Sequence, residues 1–166
     1  MKAPPPLLVP LVAASLAAAN PATGNPAGPQ ARRDYATLDV CRLVPGDSIA
    51  QAVGGKLVEA RPFASRTSSR CTYFVALPVG SQRAAYVVWI QPPEDFEGLK
   101  QYIEEPLTVV PGLGDGAYLF RDKGDGRFKL HVMKRGDLMF EATADTAEGA
   151  RRVADAVVSR LWKKAP

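Results

Sequence analysis

The feature that most limits the fold is a pair of alternating segments hinged on one glycine. Phe128, Leu130 and Val132 alternate with Lys129, His131 and Met133; beyond Gly136, Leu138, Phe140 and Ala142 alternate with Met139, Glu141 and Thr143. Period-two alternation on both sides of a glycine predicts an antiparallel hairpin with one apolar face. A two-residue Arg135-Gly136 loop would pair Val132 with Met139 and mix the faces. A three-residue Lys134-Arg135-Gly136 loop pairs Val132 with Leu138, Leu130 with Phe140 and Phe128 with Ala142, and places Gly136 where a left-handed backbone is needed. It also sets Lys129 across from Glu141, a favourable pair. Carried upstream, the same reasoning gives a five-residue loop over 122–126. Tyr118 and Phe120 then join the core face, and Arg121 faces Arg127 unfavourably.

The rest of the chain fits around this hairpin. Ala150, Val153, Ala154, Val157, Val158 and Leu161 form one stripe at helical spacing, opened by a capping-box-like Asp145 and Glu148. Residues 45–53 predict a short helix stopped by Gly54-Gly55. Strands are expected over 56–60 and 71–77. Residues 84–90 (AAYVVWI) are apolar throughout, which predicts a strand covered on both faces. Pro92-Pro93 ends it. Phe96, Leu99 and Ile103 then share one helix face, with Glu94, Glu97, Lys100, Gln101 and Glu104 on the other. The expected fold class is α+β: an antiparallel sheet of hairpins with helices packed on it, in the order helix, three strands, helix, three or four strands, helix.

The amino-terminal part is different. Met1-Lys2, an apolar run over 7–19 and the small residues Ala17-Ala18-Ala19 suit an export signal, although Pro4, Pro5, Pro6 and Pro10 are a poor start for a helix. A disordered alanine-rich tail is the other reading; a run this short falls below membrane-spanning length. Residues 20–34 (NPATGNPAGPQARRD) lack apolar periodicity and read as a flexible linker. The folded domain is expected over 35–166, and the protein in the periplasm or secreted.

In an exported domain, the two cysteines, Cys41 and Cys71, read as a disulfide. Closing a loop of about thirty residues would stabilise the fold by about 3 to 4 kcal/mol. A nucleophile with a spare, or half a metal site, fits less well, because there is no CxxC and His131 is the only histidine. The net charge of +4 comes without a dense basic stripe, so no nucleic-acid partner is expected. Residues 109–120 (VVPGLGDGAYLF) raise a phosphate-cradling loop as a possibility. Such a loop must open onto a helix; here a strand-like Ala117-Tyr118-Leu119-Phe120 follows, so a turn is expected. Residues 122–126 (DKGDG) lack the closing glutamate of a calcium loop. His131 has no GxSxG nucleophile to serve. No catalytic residue, metal or cofactor is expected.

Cys41-Arg42-Leu43, Cys71-Thr72-Tyr73 and the run from Val110 to Ala117 (VPGLGDGA) resemble a group of small exported bacterial lipoproteins of unknown function, over about 38–161. The resemblance implies a Cys41–Cys71 disulfide and an envelope location, and brings no catalytic residues with it. The chain departs from that group in having no lipid-attachment cysteine near the expected cleavage site. The expected function is therefore a non-enzymatic binding or accessory domain of the cell envelope, taking an envelope protein or small ligand. The alternative is a hydrolase or transferase using His131 with a loop carboxylate. The expected binding face is Leu119, His131, Met133 and Met139, on the sheet side away from the core; the competing expectation is that the 94–104 helix, or a loop, covers it.

Overall fold

The computed structural model describes residues 34–78 and 83–162; the expected leader and all but the last residue of the expected linker lie outside these. After a 3-10 turn, Tyr35–Thr37, come α1 (Val40–Leu43), α2 (Gly46–Ala52), β1 (Lys56–Ala64), β2 (Ser69–Ala76), β3 (Arg83–Gln91), α3 (Asp95–Lys100), β4 (Thr108–Val109), β5 (Gly116–Arg121), β6 (Phe128–Lys134), β7 (Leu138–Ala144) and α4 (Ala147–Leu161). The strands make one seven-stranded sheet in the order β1-β2-β3-β7-β6-β5-β4. Every neighbouring pair is antiparallel. Two meanders therefore meet at their last strands, β3 against β7, and the α+β architecture is the expected one.

One face of the sheet, the inner face, carries the main core. Cys71, Tyr73 and Val75 of β2, Val88 and Ile90 of β3, Leu130 and Val132 of β6, and Phe140 and Ala142 of β7 are buried there with Val40, Val44 and Ile49 from the amino-terminal helices. α4 closes it with Ala150, Val153, Ala154 and Val157, the expected stripe. Its cap is Thr146, whose hydroxyl accepts from the Gly149 amide at 3.0 Å, rather than Asp145. Asp145 pairs instead with Arg127 at 2.9 Å. Two further ties hold the amino-terminal helices to the sheet. The Tyr73 hydroxyl donates to the Val44 carbonyl at 2.7 Å. Cys41 in α1 and Cys71 in β2 form a disulfide, with Cα atoms 5.2 Å apart.

The hairpin register departs from the expected one in two ways. In β6–β7 the loop is 135–137, so Val132 faces Phe140, Leu130 faces Ala142 and His131 faces Glu141. A shift of two residues keeps every side chain on its face, so apolar alternation could not distinguish the registers. Gly136 does take a positive φ of 72°. In β5–β6 the loop spans 122–127, and Arg121 faces Phe128 rather than Arg127. That single added residue turns β5 over. Tyr118 and Phe120 leave the main core for the outer face, and Leu119 moves to the inner face opposite Leu130.

The glycine-rich segment before β5 is a turn between strands. Gly112 and Gly114 have φ of 78° and 55°. A Cβ at Gly114 would collide with the Met133 carbonyl oxygen. Asp115 ties this turn to the next hairpin, its amide donating to the Met133 carbonyl at 2.8 Å and its carboxylate accepting from the Arg135 amide at 2.8 Å.

Candidate functional site

The outer face divides in two. Over β5, β6 and β7 it is roofed by α3 and the segment after it, through Phe96 with Leu99 and Ile103 packed on Tyr118, Phe120, Met139 and Met133. Phe96 and Leu99 share the sheet-facing side of α3, which ends at Lys100 rather than running to Glu104, and Ile103 follows in the segment after it. Beneath this roof runs a chain of polar side chains. The Tyr118 hydroxyl lies 2.8 Å from His131 Nδ1. His131 Nε2 lies 3.0 Å from Glu141 Oε2, and the Thr143 hydroxyl donates to Glu141 Oε1 at 2.6 Å.

Charge fixes the direction of these hydrogen bonds. Burial pushes the Glu141 carboxyl up, but the hydrogen bond and charge of His131, with Thr143 and Lys129, outweigh burial and hold it below its ordinary range. An ionised carboxylate only accepts, so Nε2 carries the proton and donates it. Nδ1 faces the Tyr118 hydroxyl, accepting from it when the ring is neutral and donating to it when the ring is charged. Burial, followed by the Glu141 and Glu97 carboxylates, raises the Tyr118 pKa and keeps the phenol protonated. Both nitrogens of His131 are thus committed within the fold. A reactant would have to displace Tyr118 or Glu141 to use either one.

Beside this chain opens a cleft of about 340 Å³ between the roof and the sheet. Tyr102, Ile103 and Phe120 give it apolar walls; Lys129, His131 and Glu141 lie along its floor with Asp122 and Glu105 at the rim. Lys129 faces Thr143 rather than Glu141. It forms an ion pair with Asp122 and lies 3.7 Å from Asp125. Hydrogen bonding from Lys129, then from the Gly124 amide, lowers the Asp122 pKa.

The expected binding face is taken apart by this arrangement. His131, Met133 and Met139 do share the outer face, but Leu119 is on the inner one. Met139 is 0% exposed and His131 4% exposed, so the patch is a second, smaller core under α3 rather than an open surface. The physical reason is the phase of β5, which puts Tyr118 and Phe120 beside His131 and gives the roof aromatic rings to pack on. The partner of His131 is also corrected: it is Glu141, a strand residue, not a loop carboxylate. Among the described residues no group of three or more His, Cys, Asp or Glu is placed to hold a metal ion. Cys41 and Cys71 are paired with each other.

Over β1, β2 and β3 the same outer face carries no helix among the described residues. The pairing puts Lys56, Glu59, Arg61 and Phe63 of β1, Arg70, Thr72 and Phe74 of β2, and Arg83, Val87 and Trp89 of β3 on this side. Phe63 is 51% exposed. The Arg70 guanidinium stacks over Phe63, 4.6 Å from the ring centroid, and that of Arg61 over Phe74 at 4.8 Å. Val87 and Trp89 are half-buried, so β3, expected to be covered on both faces, is fully covered on one. The Trp89 indole Nε1 is buried and has no hydrogen-bond partner among the described residues. Sequence reasoning missed this half entirely, although the all-apolar run over 84–90 was its signal.

No protein-family model, no curated protein and no solved structure matches the chain.

Proposed function

We propose that this is an exported, non-enzymatic domain of the bacterial cell envelope that binds a partner or ligand through the open half of its outer sheet face. One observation carries the reading: a strand built to be covered on both faces, β3, has a helix layer on one side and exposed aromatic and arginine side chains beside it on the other. Buried apolar strand composition beside an exposed patch is how recognition surfaces are often composed. The Cys41–Cys71 bond supports an oxidising compartment, periplasmic or secreted, because such bonds persist outside the reducing cytosol. Among the described residues no helix is long and apolar enough to cross a membrane.

The competing reading, a hydrolase or transferase centred on His131, draws on the cleft that reaches both His131 and Glu141. Against it stands the commitment of both imidazole nitrogens to Tyr118 and Glu141. A thermal-shift screen of the full chain with metabolites, lipids and cell-wall fragments separates the two, because a ligand of the native state raises the melting temperature. The expected outcome is a stabilising ligand whose effect is lost in Phe63→Ser and kept in Lys129→Ala. The opposite pattern would move the site into the cleft.

A further inference from the structure

Resting on that reading, the open half of the outer face has properties that select one class of partner. Its charges are lopsided: Lys56, Arg61, Arg70 and Arg83 stand against Glu59 on the strands, with Asp39 lining the hollow beside Phe63 and Arg70. Glu59 is already used, accepting from Arg61 in a two-pronged pair at 2.6 and 2.9 Å. Arg70 has no carboxylate partner among the described residues. Its guanidinium sits over the Phe63 ring, and its N–H groups can meet an anion. An anionic occupant is the complement of these groups.

The sheet edge adds a second requirement. β1 is an edge strand of nine residues, bulged between Leu57 and Glu59 and lacking a donor at Pro62, and its far side has no strand partner among the described residues. Val58 and Phe63 are exposed along it. A free edge offers a row of backbone N–H and C=O groups that another extended chain can pair with, while alternate side chains of that chain fall on the adjoining face. A peptide supplies backbone amides at strand spacing, which a glycopolymer or a lipid surface does not. We propose that β1 and the open outer face dock an extended acidic segment of a partner protein, bearing alternating carboxylate and apolar side chains. The chain's own amino-terminal residues 1–33 contain no aspartate or glutamate, so they do not supply the complement. A second copy in twofold pairing would bring like cations together.

The test uses the full chain and a labelled glutamate–valine alternating peptide as long as β1, followed by fluorescence anisotropy. Three probes run beside it: the lysine–valine counterpart, the glutamate–valine peptide with N-methylated backbone, and dextran sulfate. The glutamate–valine peptide is expected to bind, and the lysine and N-methylated versions to bind about tenfold or more weakly. Arg70→Glu should weaken the parent peptide to the same extent with an unchanged melting temperature. Equal binding of the N-methylated peptide, or of dextran sulfate, in wild type but not in Arg70→Glu would overturn the peptide partner and leave the binding face standing. Binding that Arg70→Glu does not change, or no binding by any probe, would overturn both. Self-association by sedimentation that Arg70→Glu abolishes would make the occupant a second copy and overturn the proposal. The N-methylated peptide needs no protein variant, so the test survives a variant that fails to fold.

Discussion

The two halves of the outer sheet face protect their aromatic rings by different means. Over β5–β7 the Tyr118 ring packs against Phe96 from α3, 5.0 Å between centroids. Over β1–β3 the rings of Phe63 and Phe74 lie under the guanidinium groups of Arg70 and Arg61. A helix roof removes water, and every polar group beneath it must then find a protein partner. That explains the closed chain from Tyr118 through His131 and Glu141 to Thr143. An arginine roof leaves water and ligands able to approach, because the charged head stays solvated while the stem covers the ring. The same sheet therefore has a roofed end, with one cleft beside the roof, and an end that α3 does not cover.

The comparison breaks most visibly at Met139, which has no exposed surface under α3. Met139→Lys should cost about 3 kcal/mol or more, since it buries a charge without a partner. Urea denaturation measures it; a change near zero would mean that the roof does not seal this half. Tyr118→Phe is the next step down. It strips the Nδ1 partner from a buried His131 and should cost about 1–2 kcal/mol in the same assay.

Acid should act on the roofed half through Glu141. Its folded carboxyl titrates below the ordinary 4.5, so in that range the unfolded chain binds the proton more readily than the folded one. The stability that Glu141 contributes is complete above about pH 4.5 and is lost as pH falls through its folded value. Stability measured against pH should fall less steeply on acidification in Glu141→Gln than in wild type across that window. Parallel curves would show that the carboxylate is not held by His131. The smallest effect belongs to the open half: Phe63→Ser should change stability by no more than about 0.5 kcal/mol. A loss of several kcal/mol would reveal a cover on β1–β3.

Much of this division was legible in the residues, and what was not has a definite cause. The stripe from Ala150 to Val157, the alternation around Gly136 and the turn before β5 all carry their periods openly. The apolar set Phe96, Leu99 and Ile103 marked a packing face without saying what it covered. The answer depended on β5, where one residue of loop length decides the face of every side chain. A clue was present: the five-residue loop required Arg121 to oppose Arg127. The observed loop avoids this by placing Arg121 near the Phe128 ring, at 5.8 Å. It is organised by Asp122, whose side chain accepts from the Gly124 amide at 2.7 Å, and by Gly126 at φ 72°. The His131–Glu141 pair was hidden by the two-residue ambiguity, which leaves faces intact and changes only partners.

The unequal lengths of the two sheet edges set a stoichiometry. β4, at one edge, is two residues long, and β1, at the other, is nine. A strand that adds to β1 finds no comparable site across the sheet, so addition cannot repeat from copy to copy as it does when both edges are long and free. Titration of a strand-like partner should saturate at one per chain and give a complex of finite mass rather than a growing fibre.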